Sequence, residues 1–182
     1  TQIGCTNYTS QYSDLEVGSA SLTIGNTYYF SVDNHNGSAG YRGTFKLCLQ
    51  DVATNDFYEA ATDVSSIINS CSSNGAYSTE MATTDKNPGS CWNTSGGSNR
   101  WFKFVATSGN HIISLLNVEG TTTNLNHSVY SGTCNNLVQL YCAPANALNS
   151  NNMNYVVGQT YYLRVWSNGS VSEVVTFNVC VK

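Results

Sequence analysis

The stretch Gly158-Gln159-Thr160-Tyr161-Tyr162-Leu163-Arg164-Val165 reads as a turn that leads into a β-strand with alternating side chains. It has a second copy near the start of the chain, Gly25-Asn26-Thr27-Tyr28-Tyr29-Phe30-Ser31-Val32. A closing strand follows each copy at nearly the same distance, at residues 176–181 in one case and 44–49 in the other. Such an internal repeat indicates an array of similar modules.

The two copies have very different lengths of chain in front of them. We therefore predict that residues 1–50 are the C-terminal half of one module and that residues 51–182 are one complete module. A segment as short as the first buries too little surface to be stable alone, so it is expected to need either its neighbour or strands that lie outside this sequence.

Period-two runs rich in β-branched and aromatic residues, separated by Gly, Asn and Ser, continue through the chain. They predict strands at residues 20–24, 27–33, 43–49, 100–106, 111–118, 128–131, 137–142, 160–167 and 174–181. One short helical segment is predicted over residues 56–67, with Asn55 as its cap. The pattern predicts an all-β chain of tandem β-sandwich modules, jelly-roll-like and stapled by disulfides.

The composition argues against two classes of partner. Charged residues make up 10% of the chain, against roughly 25% in an ordinary soluble domain. The net charge of −4 and the absence of a Lys/Arg cluster argue against a nucleic-acid partner. The sequence contains no apolar run of transmembrane length and no signal-peptide pattern, so membrane insertion is not expected.

The seven cysteines indicate an oxidising, extracellular setting. Cys134 and Cys142 bracket a short loop that a disulfide would close, and Cys71 with Cys91 is the next predicted pair. Metal binding is the competing interpretation of a cysteine set, but no Cys-x-x-Cys or Cys/His spacing favours zinc.

The repeat bears on the remaining cysteines. Cys5 aligns with Cys142, so its partner is expected upstream of Thr1. Cys48 and Cys180 occupy equivalent places in the two closing strands. They are either buried free thiols or partners of a cysteine that the sequence does not identify.

Motifs for catalysis are absent. The sequence has no nucleophile elbow, His-Glu-x-x-His helix, phosphate loop or Ser/His/Asp set. The histidines His35, His111 and His127 are expected to be solvated or capping residues. The chain is therefore predicted not to be an enzyme.

The second module carries a series of landmarks in a fixed order: Asn55-Asp56, Ala82-Thr83-Thr84-Asp85, Arg100-Trp101-Phe102-Lys103-Phe104, Val129-Tyr130-Ser131-Gly132, Cys134, Cys142, residues 158–165 and Phe177. This order resembles the pre-peptidase C-terminal (PPC) type of β-sandwich, and more closely its cysteine-bearing relatives repeated in large secreted surface proteins of the Bacteroidetes type. The resemblance implies an accessory part of an exported hydrolase, an adhesin or a gliding-type surface filament. Fold alone does not choose among these functions.

Calcium is the best candidate for a cofactor, because hard oxygen ligands lie near the first edge of the module: Asp51, Asn55, Asp56, Glu59, Asp63 and Asp85. Of these, Asn55, Asp56 and Asp85 match positions of the family that the sequence resembles. The alternative is structural: Asn55 and Asp56 cap a helical turn, and the other acids are solvated.

A ligand-binding face is predicted on the strand at residues 160–167. Alternation places Tyr162, Arg164 and Trp166 together on the side away from the core. Flat rings with a guanidinium between them would suit stacking against a sugar. The alternative is that Trp166 packs against a neighbouring module or beneath a loop. Trp101 is predicted to be a core residue.

These observations predict a non-catalytic module of a large exported surface adhesin or filament, with neighbouring repeats and a surface polysaccharide as partners. Weak binding to glycan in each module would be multiplied along the array. The alternatives are an accessory substrate-binding domain of a secreted hydrolase and a structural spacer without a ligand.

Overall fold

The computed structural model of the chain describes residues 22–32, 44, 47, 53–83, 98–133, 136–143, 146–150, 153–167 and 173–182. The chain divides into two compact units, Thr1–Asp51 and Val52–Lys182. Strands dominate the described part of the chain, and no α-helix occurs in it. The predicted all-β class is therefore confirmed.

In the first unit, residues 22–32 form an exposed segment with a turn near its start. The Asn26 amide donates a hydrogen bond to the Thr23 carbonyl at 3.2 Å, and Gly25 has φ +89°. The predicted strands are wrong over these residues, because the segment has no backbone ladder to a neighbour among the described residues and a strand needs one. Apart from positions 44 and 47, the strand predicted at residues 43–49 lies outside the described residues.

The described residues of the second unit contain eleven strands. They are β1 (Thr62–Asp63), β2 (Ser70–Cys71), β3 (Tyr77–Ser78), β4 (Asn99–Val105), β5 (Asn110–His111), β6 (Ile113–Gly120), β7 (Leu125–Thr133), β8 (Asn136–Cys142), β9 (Met153–Asn154), β10 (Thr160–Ser167) and β11 (Val175–Val181). The six long strands, β4, β6, β7, β8, β10 and β11, confirm the strands predicted in this part of the chain.

The helix predicted over residues 56–67 is wrong. Two short 3₁₀ turns occupy the region, Tyr58–Ala60 and Ser65–Ile67, with β1 between them. β1 pairs in parallel with β4, so that Thr62 lies opposite Phe102. Pairing with the edge of a sheet has overridden a weak helical pattern, as tertiary context commonly does.

The larger sheet has five strands in the order β1-β4-β10-β7-β8. Its central strand, β10, is antiparallel to both neighbours, with Leu163 opposite Phe102 on one side and Val129 on the other. The β7–β8 pair is also antiparallel and has a bulge between Val129 and Tyr130. This register fixes which side chains of the three inner strands share a face.

The smaller sheet has three strands in the order β3-β11-β6, and β5 pairs with β9 separately. The two main sheets enclose one apolar core. Phe102 and Leu163 enter it from the five-stranded sheet, and Phe177 and Leu115 enter it from the three-stranded sheet; all four are fully buried. The Phe102 and Phe177 rings meet edge to face with their centroids 6.1 Å apart.

A disulfide joins Cys71 of β2 to Cys180 of β11. The predicted Cys71–Cys91 pair is therefore wrong, and Cys91 itself lies outside the described residues. The cause is that β2 runs beside β11: the Ser72 amide donates to the Val179 carbonyl at 2.9 Å. Sequence proximity favoured a local pair, whereas the topology brings the far end of the chain to Cys71.

Cys142 at the end of β8 is also disulfide-bonded. Its predicted partner, Cys134, lies outside the described residues, as do Cys5 and Cys48. Of the two possibilities that the sequence leaves open for Cys180, a free thiol or a disulfide, the structure shows the disulfide.

Candidate functional site

The predicted ligand residues Tyr162, Arg164 and Trp166 alternate along β10, on the face opposite the main core. Their cross-strand neighbours confirm this placement: Arg164 lies opposite Trp101 of β4, and Tyr162 lies opposite Tyr130 of β7. Residues directly opposite each other on antiparallel strands share a face of the sheet. The prediction that these three side chains point to one side is therefore confirmed.

This face is not open to solvent. Arg164 is fully buried and Trp166 is only 4% exposed. The guanidinium carbon of Arg164 lies 5.4 Å from the Trp101 ring centroid and 5.8 Å from that of Trp166. Its Nη2 also donates a hydrogen bond to Asn99 Oδ1 at 2.8 Å. A buried cation between two indole rings is a stabilising arrangement, and it presents no platform for a ligand.

Aromatic packing on this face forms a second cluster, which sequence reasoning missed. The members of this outer cluster are Ala61, Trp101 and Tyr130, with Tyr58, Leu137 and Tyr162 partly buried against them. The Trp101 ring lies 5.9 Å from Tyr58 and 5.4 Å from Tyr130, measured between centroids. Trp101 is fully buried, which confirms that it is a core residue, but it belongs to this outer cluster.

The proposed calcium ligands Asn55 and Asp56 belong to a buried network of hydrogen bonds beside β4. The Asp56 carboxylate accepts hydrogen bonds from the Thr83 amide at 2.6 Å and from the Thr83 hydroxyl at 2.5 Å. The Asn55 side chain donates to the Trp101 carbonyl at 3.1 Å and accepts from Arg100 Nη1 at 3.1 Å. Burial raises the pKa of the Asp56 carboxyl, and the hydrogen bonds from Thr83 oppose that shift.

These two residues do not by themselves fit a calcium site. Calcium takes six to eight oxygens, whereas both Asp56 oxygens and the Asn55 oxygen already accept hydrogen bonds. The Arg100 guanidinium beside Asn55 also disfavours a cation. Asp85 lies outside the described residues, so calcium binding through the full predicted set stays a prediction. Within the described part of the chain, no group of three or more His, Cys, Asp or Glu side chains could hold a metal.

Two histidines occupy different environments. His111 is buried, and its Nε2 accepts hydrogen bonds from the amides of Thr107 and Ser108 at 3.2 Å each, which confirms a capping role. His127 is also fully buried, 5.8 Å from the Tyr141 ring, so the expectation of a solvated or capping residue is wrong there. Burial lowers the pKa of His127 to about 4. His35 lies outside the described residues.

Comparison of the chain with protein-family models, with curated proteins and with solved structures finds no match. The resemblance to PPC modules therefore rests on the order of the sequence motifs, and membership of that family stays a prediction. Among the described residues, no helix is long and apolar enough to span a bilayer.

Proposed function

We propose that the chain is a non-catalytic part of a large exported surface protein made of tandem PPC-like β-sandwich repeats, acting in adhesion or in a surface filament. On this proposal, residues 1–50 are the C-terminal half of one repeat and residues 51–182 are a complete one. The observation that carries the proposal is the Cys71–Cys180 disulfide, which spans 109 residues of the second unit.

The position of this disulfide suits a module under tension. The second unit runs from Val52 to Lys182, so Cys71 and Cys180 lie near its two ends. In a linear array, tension enters a module at one end and leaves at the other. The covalent bond transmits that tension directly, so the residues between the two cysteines are not pulled apart.

Two further observations support an extracellular place. The described cysteines, Cys71, Cys142 and Cys180, are all disulfide-bonded, and structural disulfides persist in oxidising compartments. The low content of charged residues is also common in exported proteins. Neighbouring repeats and a surface polysaccharide are the partners we propose.

Adhesion under load tests the function. Beads that carry the 182-residue chain are placed on surfaces coated with mannan, dextran or galactan and exposed to increasing flow. We expect retention on at least one surface. We also expect the Cys71→Ala/Cys180→Ala variant to bind at rest and to detach at lower flow.

The controls separate the alternatives. The Cys134→Ala/Cys142→Ala variant keeps the Cys71–Cys180 disulfide, and its beads are expected to detach at the same flow as those of the wild type. Failure of the wild-type chain to bind any of the three surfaces would contradict adhesion and favour the structural spacer. Equal detachment of wild type and the Cys71/Cys180 variant would contradict the role of the disulfide under tension.

A further inference from the structure

A polar cleft of about 240 Å³ lies at one edge of the five-stranded sheet, where β1, β3 and β4 come together. Its walls combine one aromatic ring, one guanidinium and several hydroxyl or amide groups: Thr54, Asn55, Thr62, Ala76, Tyr77, Ser78 and Arg100. None of these belongs to the predicted stripe on β10. The volume is below the ~300–1,000 Å³ of sites that enclose drug-sized ligands, so the cleft suits a smaller group.

Arg100 forms a fixed wall of the cleft. Its Nε donates to the Ser78 carbonyl at 2.5 Å, its Nη1 donates to Asn55 Oδ1 at 3.1 Å, and its Nη2 donates to the Glu80 carbonyl. A guanidinium carries five N–H donors, and three of them are bonded to the described residues. Since the side chain is already ordered, a ligand would not have to immobilise it.

Tyr77 supplies a rigid aromatic wall. It is half-buried in β3, and its ring meets Phe102 edge to face at 4.7 Å between centroids. The Tyr77 hydroxyl can both donate and accept a hydrogen bond. Burial raises its pKa above the ordinary value of a tyrosine. Thr54 is exposed and Thr62 is half-buried, so their side chains lie at the accessible side of the cleft.

The charges around the cleft favour a neutral ligand. Burial lowers the pKa of Arg100, and the carboxylates of Asp56 and Glu80 oppose that shift by balancing its charge. A phosphate or carboxylate ligand would be attracted by the guanidinium and repelled by these two acids. The remaining side chains of the lining are uncharged, and the hydroxyls of Thr54 and Thr62 can both donate and accept hydrogen bonds, as the hydroxyls of a polyol do.

We propose that this cleft binds a single neutral sugar unit, at the end or on a branch of a glycan. Tyr77 would provide the apolar contact, and Arg100 with Thr54 and Thr62 would provide hydrogen bonds to hydroxyl groups. The proposal rests on the adhesive function proposed above and places its ligand at the β1–β3–β4 edge, away from Arg164.

The test is saturation-transfer NMR on the 182-residue chain with methyl glycosides of glucose, galactose, mannose and N-acetylglucosamine, and with glucuronate and inorganic phosphate as anionic probes. The blocking variant is Ala76→Phe, because Ala76 is exposed and a ring there would fill the cleft without entering the core. The matched control is Leu140→Phe on β8, an exposed position at the opposite edge of the same sheet.

We expect at least one neutral glycoside to bind, with affinity at least tenfold lower in Ala76→Phe and unchanged in Leu140→Phe. Thr62→Val, which removes only a hydroxyl, is expected to weaken binding severalfold. Glycoside binding that Ala76→Phe leaves intact would overturn the site and leave the adhesive function standing. A preference for the anionic probes would overturn the neutral ligand. If no glycoside binds although the beads are retained on polysaccharide, the proposed sugar site in the cleft is wrong, and the adhesive function still stands.

Discussion

The Arg164 guanidinium carbon lies 5.4 Å from the centre of the Trp101 ring, on the face of the sheet opposite the main core. Both side chains are fully buried. A charge without water is tolerated only where rings and hydrogen bonds replace its solvation. The face that the sequence marks as a binding surface is therefore part of the packed interior.

This relationship predicts the effect of Arg164→Lys. An ammonium group cannot lie flat between Trp101 and Trp166 while it also hydrogen-bonds to Asn99, so we expect a loss of about 1–2 kcal/mol in the free energy of unfolding. The measurement is the urea midpoint. Tyr162→Phe is the control, since it keeps the ring on the same face, and we expect it to change stability by less than about 0.5 kcal/mol. An unchanged midpoint for Arg164→Lys would contradict the packed role.

A second prediction concerns Gly132 near the end of β7, where it pairs with Leu137 of β8. Its φ is +103°, and a Cβ there would lie 2.2 Å from the Asn136 carbonyl oxygen. We expect Gly132→Ala to cost at least about 2 kcal/mol, because the backbone conformation is strained for L-residues and the methyl group collides with backbone. Thermal unfolding followed by far-UV circular dichroism measures the loss.

The control for Gly132 is Gly158. It also has positive φ, +82°, but a Cβ there has nothing within 4 Å. We expect Gly158→Ala to cost about 1 kcal/mol, from conformation alone. Equal losses at the two positions would show that the contact with Asn136 does not matter.

A third prediction concerns pH. Burial lowers the pKa of His127 from its ordinary 6.5 to about 4, so the unfolded chain binds a proton more readily than the folded one. The stability associated with the neutral ring is present above pH 6.5 and is lost as the pH falls towards 4. By proton linkage, we expect the free energy of unfolding to fall by about 2 kcal/mol between pH 7 and pH 5 because of this residue.

The measurement for His127 is the urea midpoint at both pH values, in the wild type and in His127→Leu. The difference between the two proteins isolates this residue from the carboxylates and from His111. We expect the variant to lose much less stability than the wild type on acidification. Parallel losses in the two proteins would mean that His127 does not titrate in this window.

Local patterns predicted the strands because alternation is a property of neighbouring residues. The strand at residues 160–167 was predicted with the bounds that β10 has, and the side of it that carries Arg164 was also predicted correctly. Alternation cannot say whether that side is covered, since Trp101 and Tyr130 reach it from other strands. For the same reason the sequence pattern did not reveal the outer cluster or the burial of His127.

For a related reason, the sequence pattern alone does not predict which distant residues come into contact. Sequence proximity favours Cys91 as the partner of Cys71, whereas the hydrogen bond between the Ser72 amide and Val179 of β11 brings Cys71 to Cys180. The sequence motif identifies the Asn55-Asp56 pair, but it does not show the hydrogen bonds of the pair, because Thr83 and Arg100 come from later in the chain. The cleft beside Tyr77 has the same origin, because its walls come from separate segments that converge only in the folded unit.

The last prediction follows from the disulfide between β2 and β11. When the chain is stretched from its ends in a force spectrometer, the disulfide of the oxidised protein should keep the segment between Cys71 and Cys180, which are 109 positions apart, from extending. At ~3.3–3.6 Å per residue this amounts to roughly 360–390 Å of chain length, which should appear on reduction or in Cys71→Ala/Cys180→Ala. The first unit and the residues before Cys71 extend in every sample and cancel in the comparison.

The Cys134→Ala/Cys142→Ala variant makes the measurement specific. If these two cysteines pair as predicted, the variant keeps the long disulfide and should show the short extension of the oxidised wild type. A short extension therefore assigns the mechanical effect to Cys71 and Cys180 alone. Full extension of the oxidised wild-type protein would mean that tension does not pass through that bond, and the case for a tension-bearing surface module would fail with it.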